Sequence, residues 1–143
     1  MRWVISLFAL GLAGCAPPNR ISSLCDIPDL RSAIGSEVQF KAMLISGNSE
    51  HPPLVTDERC WHSLGADTKD APLALLKAFE SPGLFNKFAV VSGRIQAVNN
   101  EPWLHITAAD QISVRRPMTV TEEQRIFSRM VREGNAWNAA HPR

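Results

Sequence analysis

The stretch "KFAVVSGRIQAVNNEPWLHITAADQISV" (residues 87–114) decides the fold. Its two halves are rich in Val and Ile and flank the turn-forming residues 99–102, a pattern typical of paired strands. In the second half, Leu104 and Ile106 face one way, whereas Trp103 and His105 face the other. Gly93 lies inside the first half, where a glycine often marks a bulge or a sharp bend. The stretch therefore predicts two bent strands with one apolar face each.

Three more strands are predicted upstream. Residues 36–46 alternate apolar and polar side chains in their first half and are apolar on both sides in their second half, residues 54–57 form a short strand, and residues 59–65 end at a glycine. The stretch "DAPLALLKAFE" (70–80) changes to a helical spacing, with Asp70 as the expected N-cap. We therefore expect a five-stranded antiparallel barrel with a short helix between strands three and four, which is the order of an OB fold.

A C-terminal amphipathic helix is predicted over residues 119–134. Thr121 and Gln124 have the spacing of a capping box, and two glutamates follow in the favourable first turn. One apolar stripe faces the core in this interpretation, and Trp137 extends it if the helix passes Gly134. The stripe comprises Ile126, Phe127, Met130 and Val131.

The N-terminus has the pattern of an export signal. Arg2 precedes an apolar run of residues 3–12, which is too short for a membrane-spanning helix of about 20 residues. The run ends Leu12-Ala13-Gly14-Cys15, which resembles the lipobox of bacterial lipoproteins at all four positions. The resemblance implies a signal peptide over 1–14, cleavage after Gly14 and acyl chains on Cys15. These chains would hold the protein in the membrane.

The resemblance also implies a location and a division of the chain. Ala16, rather than an aspartate, follows the cysteine, which favours the outer membrane, facing the periplasm, if the bacterium has two membranes. A lipidated tether is expected over 15–23, the OB-like barrel over 24–116, and the helix with a tail over 117–143.

Three cysteines are present, an odd number for an exported protein. Lipidation removes Cys15, and Cys25 and Cys60 then form a candidate disulfide in an oxidising compartment. Closing a loop of this length is worth about 3–4 kcal/mol in the chain-entropy estimate. A metal site or a reactive thiol built on Cys60 and His62, with His51 as a further candidate, or two free thiols, are the alternatives.

Four segments extend the resemblance to small bacterial lipoproteins with OB-like domains. They span roughly residues 35–115 and read "GSEVQFKAMLIS", "PLVTDERC", "FAVVSGRIQ" and "LHITAADQISV". The resemblance implies fold and location but carries no activity.

Charge and motifs limit the function. Without Arg2, the 14 remaining Lys and Arg residues balance 14 Asp and Glu residues, so no basic surface for nucleic acid is expected. The sequence contains no glycine-rich phosphate loop and no G-x-S-x-G motif. A non-enzymatic binding or interaction module of the cell envelope, without cofactor or metal, is therefore expected. Its partners would be the membrane and an envelope protein or a glycan.

Two alternative functions stay open. One is a periplasmic metal-binding protein or enzyme centred on Asp57, Cys60 and His62. The other is oligosaccharide or peptidoglycan binding by one barrel face, because OB barrels bind such ligands through aromatic and basic groups. The candidate ligand face is Lys41, Trp61, Arg94 and Trp103, with Lys87 as a further basic group.

Overall fold

The computed structural model describes residues 20–142. The predicted signal peptide, the lipobox and the lipidation site at Cys15 lie outside these residues. The elements, in chain order, are two 3-10 turns (Leu24–Asp26 and Leu30–Ala33), β1 (Glu37–Ile45), β2 (Leu54–Asp57), β3 (His62–Asp67), α1 (Leu73–Glu80), β4 (Lys87–Val98), β5 (Glu101–Val114) and α2 (Val120–Ala140). None of the described helices is long and apolar enough to cross a membrane.

The five strands close into a barrel in the order β1-β2-β3-β5-β4, so the prediction of a five-stranded barrel is confirmed. The prediction that it is antiparallel is wrong, because β3 pairs with β5 in parallel while the other neighbours are antiparallel. The reason is geometric. An odd number of strands in a closed ring cannot alternate in direction all the way round, so one pair must be parallel.

The long hairpin of β4 and β5 forms much of the barrel wall. Asn99 and Asn100 both have positive φ (51° and 66°), as a two-residue type I′ turn requires. The predicted bend is present, since the β4–β5 register shifts between Ser92 and Gly93. A Cβ at Gly93 would lie 2.0 Å from the carbonyl oxygen of His105, so only glycine fits there.

The inside of the barrel is a hydrophobic core made mostly of aliphatic side chains. Alternate residues of every strand point inward, as the sequence pattern predicts. The helix α1 closes one end of the barrel through Leu75 and Phe79, and the 3-10 turns cover the other end through Leu24 and Ile27. The fully buried strand residues include Val38, Leu44, Val55, Leu64, Val91, Ile95, Leu104 and Ile106.

The helix α2 lies outside the barrel, over a second apolar cluster of Met43, Trp61, Phe85 and Phe88. Its cap differs from the prediction: Thr119, not Thr121, is the N-cap, and it forms a capping box with Glu122. Arg116 also pairs with Glu122, which favours the earlier start and, with the Thr119 backbone bond, lowers the pKa of Glu122 to about 2. The helix continues past Gly134 to Ala140.

The predicted apolar stripe of α2 divides into two. Ile126 and Met130 pack against the second cluster, whereas Phe127 and Val131 are 54% and 45% exposed. The helix therefore covers one side of the barrel with Ile126 and Met130 and leaves its other apolar residues exposed.

Candidate functional site

The disulfide between Cys25 and Cys60 is present, as predicted. Its Cα atoms are 5.6 Å apart and both residues are buried. The bond ties the first 3-10 turn to the turn between β2 and β3. It therefore fixes the segment that leads to the N-terminus against the barrel.

Two residues of the predicted alternative centre of Asp57, Cys60 and His62 make structural bonds instead. The Asp57 carboxylate accepts hydrogen bonds from the Ser23 hydroxyl (2.7 Å) and the Leu24 backbone N–H (3.0 Å). Its second oxygen accepts from the Arg59 N–H at 3.1 Å. Cys25, Asp57 and Cys60 place possible ligand atoms within 4.8 Å of one another, but both sulfurs are in the disulfide rather than thiolates. This arrangement stabilises the turn between β2 and β3, and neither of the two sulfurs is free to bind a metal ion.

The predicted ligand face does not form one surface. Trp61 is 8% exposed and lies beneath α2, and Lys87 is fully buried, so neither belongs to an outer binding face. The Lys87 ammonium donates to the Ser81 carbonyl at 2.8 Å and to the Ser46 hydroxyl, while burial lowers its pKa. Lys41 is exposed on β1, and Arg94 and Trp103 lie on the wall that α2 leaves open.

Trp103 is the aromatic centre of this open wall. The parallel register places it beside Gly65 of β3, and a Cβ at Gly65 would lie 2.8–3.0 Å from three indole ring atoms. One face of the indole therefore covers the glycine. Trp103 as a whole is half-buried, so one face of its indole packs on Gly65 and the rest is partly exposed to solvent.

A hydrogen-bonded polar network surrounds Trp103. Asp67 Oδ2 receives hydrogen bonds from Gln96 Nε2 and His105 Nδ1, both at 2.8 Å. His105 Nε2 lies 3.0 Å from Asp70 Oδ2, so Asp70 faces this network instead of capping α1. The bonds from His105, Lys69 and Gln96 hold the pKa of Asp67 below its usual value.

Arg94 extends the network along the wall. It pairs with His105 across the β4–β5 ladder, and its guanidinium binds Glu37 of β1 at 2.9 Å. We call Gly65, Asp67, Gln96, Trp103 and His105 the Trp103 wall. Its side chains are planar, fixed by one another and aligned on three adjacent strands.

The chemistry of the Trp103 wall suits binding better than catalysis. Both ring nitrogens of His105 contact carboxylates, so neither is free to act on a substrate proton. No residue of the described chain accepts a hydrogen bond from the Trp103 indole N–H. An aromatic ring beside a few fixed polar groups is a common lining of small-molecule binding sites.

A separate open cleft of about 690 Å³ lies between residues 25–28 and the end of α2. Trp137 stacks on His141 there at 3.8 Å between ring centres and meets the His62 ring edge-on at 6.2 Å. The Nδ1 atom of His141 lies 3.0 Å from the Trp137 carbonyl oxygen. These contacts tie the last turn of α2 to the region of the disulfide.

Sequence reasoning placed Trp103 and His105 on one outer face but missed their partners. Gly65 and Asp67 join them because β3 and β5 run in parallel side by side, whereas Gln96 is the cross-strand neighbour of Trp103 in the β4–β5 hairpin. The alternation within the fourth predicted strand sets Gln96 outward, but the third predicted strand ended at Gly65, and Asp67 lay outside it. No protein-family model and no curated protein matches this chain, so its function has to be argued from its own residues.

Proposed function

We propose that this chain is a lipid-anchored, non-enzymatic binding module of the bacterial cell envelope. In this proposal its OB-like barrel binds an oligosaccharide, such as a peptidoglycan strand, on the Trp103 wall. The observation that carries the proposal is the supported, partly open indole of Trp103 beside the Asp67–His105–Gln96 network.

The OB-like assignment is supported by order and topology. The strand order β1-β2-β3-β5-β4 and the position of α1 between β3 and β4 are those expected of a five-stranded Greek-key barrel. OB barrels commonly bind oligomers on an outer face, which agrees with a ligand on an open wall.

The lipid anchor is supported by the four lipobox positions and by the disulfide. A buried Cys25–Cys60 bond fits an oxidising compartment outside the cytoplasm. Arg20, the first described residue, follows Cys15 by only five residues, which would keep the barrel close to the membrane. The outer membrane, facing the periplasm, stays our preferred location if the bacterium has two membranes.

A glycan fits the Trp103 wall better than a nucleic acid. The C–H face of a sugar ring can stack on the indole, while its hydroxyls bond the planar polar groups around it. Asp67 and Asp70 lie beside the same platform and would repel a phosphate backbone.

The test is calorimetric titration of the acylated protein with soluble peptidoglycan fragments. Trp103→Ala should weaken binding about tenfold or more, since one aromatic stacking contact contributes about 1–3 kcal/mol. Gly65→Ala should also weaken binding, because the new methyl group displaces the indole. Trp137→Ala, which removes an aromatic from the separate cleft, is the matched control and should bind like wild type.

Two results would contradict the proposal. One is wild-type affinity in Trp103→Ala with a folded barrel. The other is no measurable binding of any glycan fragment by the wild-type protein. Loss of binding in the Trp137→Ala control alone would move the site to the cleft.

A further inference from the structure

A strip of unpaired cations lies beside the segment that leads to the proposed anchor. Arg20 donates to the neutral Gln39 side chain at 3.2 Å, and Lys41 is the next outward residue on β1. Arg59 and Lys41 line one depression of about 190 Å³ together with Ser22. All three cations are exposed.

The charges of this strip are not neutralised by salt bridges among the residues that the structure describes. Within residues 20–142, no carboxylate forms a salt bridge with Arg20, Lys41 or Arg59, although five other basic residues have acidic partners. Glu58 is half-buried in the same depression, and the Asp57 carboxylate beside it is buried and hydrogen-bonded. Asp26 is exposed and lines the neighbouring depression with Arg20 and Ser22. Arg115, which stacks 4.9 Å from the centre of the Phe88 ring in the first depression, adds a fourth cation. Four cations against three carboxylates leave the strip with a net positive charge.

The chain enters the barrel at this strip. Ile21 forms a parallel bridge with Val38, so residues 20–22 run alongside β1. Lys41 lies two positions beyond Gln39 on the same strand. From Cys15 to Arg20, five extended residues reach at most about 17 Å. If Cys15 carries the acyl chains, this strip is the part of the described molecule that the tether holds nearest the bilayer.

We propose that Arg20, Lys41 and Arg59 form a docking face for the phosphate headgroups of an anionic membrane. This inference rests on the proposed lipid anchor and adds an orientation to it. Basic residues at a membrane surface are attracted to anionic lipids and lose that attraction as salt increases. Acyl chains and a basic patch together form a two-part anchor, and the patch fixes which side of the barrel meets the lipid.

The test uses the chain's own lysines as reporters. The acylated protein is reconstituted in two kinds of vesicle, one of pure phosphatidylcholine and one in which about 30% of the lipid is phosphatidylglycerol. Both samples are labelled with an amine-reactive reagent. Labelling of Lys41 should fall about fivefold in the anionic vesicles and recover at high salt, as expected for about one basic contact. Lys69, just before α1, and Lys77, on α1, are exposed and line neither depression of the strip, so they should label equally in both.

A charge-reversal pair sharpens the test. Arg59→Glu should restore Lys41 labelling in anionic vesicles, whereas Lys77→Glu makes the same change in net charge and should leave Lys41 protected. Equal labelling of Lys41 in both vesicle types overturns the docking face. So does protection that survives Arg59→Glu in a folded protein.

Failure of the anchor gives a different result. A protein without acyl chains does not float with pure phosphatidylcholine vesicles, and its mass lacks the lipid. The docking face is still tested in that case, because anionic vesicles alone should protect Lys41 and not Lys69.

Discussion

Trp61 and Trp103 lie on the outside of the same barrel, but only Trp61 is covered. Its indole N–H donates to Glu133 of α2 at 2.9 Å, and Arg129 of α2 stacks 5.1 Å from the ring centre. Trp103 packs over Gly65 and stays half-buried, without contacts of this kind to α2. The difference teaches that an aromatic on an outer wall is a candidate binding platform only where no other element covers it.

The largest effect expected from this comparison concerns stability. Trp61→Ala removes the centre of the second apolar cluster and should lower the free energy of unfolding by about 3–5 kcal/mol. Trp103→Ala leaves the barrel core and the α2 contacts intact and should cost less than about 2 kcal/mol. Urea unfolding of both variants measures the difference. Equal losses would mean that Trp103 serves packing in the same way as Trp61.

Removal of the disulfide should have the next largest effect. The double variant Cys25→Ala, Cys60→Ala frees a loop whose closure is worth about 3–4 kcal/mol and loosens the turn that carries Trp61. Glycan binding at the Trp103 wall should persist, because that wall is built from β3, β4 and β5. Denaturant unfolding and calorimetry on one sample test both statements, and a loss of binding in a folded variant would contradict the second.

A smaller effect is expected at the start of α2. Thr119→Ala removes one half of the capping box and should cost about 1 kcal/mol. Thr121→Ala, at the position that the sequence favoured, is the matched control and should cost less. Helix fraying followed by amide exchange should increase in the first turn of α2 only for Thr119→Ala. A larger loss of stability in Thr121→Ala than in Thr119→Ala would mean that Thr121 is the N-cap, as the sequence predicts.

The smallest effect is a pH dependence of the Trp103 wall. The lowered pKa of Asp67 means that its ionised form is stabilised by folding. This contribution is present above the ordinary value of 3.8 and is lost as the pH falls through the lower folded value. The difference in unfolding free energy between wild type and Asp67→Asn should therefore shrink as the pH is lowered from 5 to 3, because the Asp67 carboxylate takes up a proton. A constant difference across that range would show that Asp67 is not stabilised by the network.

Much of the barrel could be predicted because its signals are local. Alternation in β1 and β5, the interior Gly93 and the turn at residues 99–100 each follow from neighbouring residues. The disulfide followed from counting cysteines. The parallel β3–β5 pair could not be read in this way, because it depends on closing the whole ring.

The candidate site was predictable only in part for the same reason. Trp61 and Trp103 look alike in sequence, and their difference depends on where α2 lies. The apolar residues of α2 lie on two neighbouring faces of the helix. The sequence did not reveal that Ile126 and Met130 face the barrel while Phe127 stays exposed. The network around Trp103 joins β3 to the β4–β5 hairpin, and α1 separates these two parts in the chain, so no local motif records it.

The most direct measurement of the central claim is a nuclear magnetic resonance titration of indole N–H signals. The mature protein would show three, from Trp61, Trp103 and Trp137. Adding soluble peptidoglycan fragments should shift the Trp103 signal and the Gln96 side-chain amide, while Trp61, bonded to Glu133, stays unchanged. Shifts confined to Trp137, or none at all, would contradict glycan binding on the Trp103 wall.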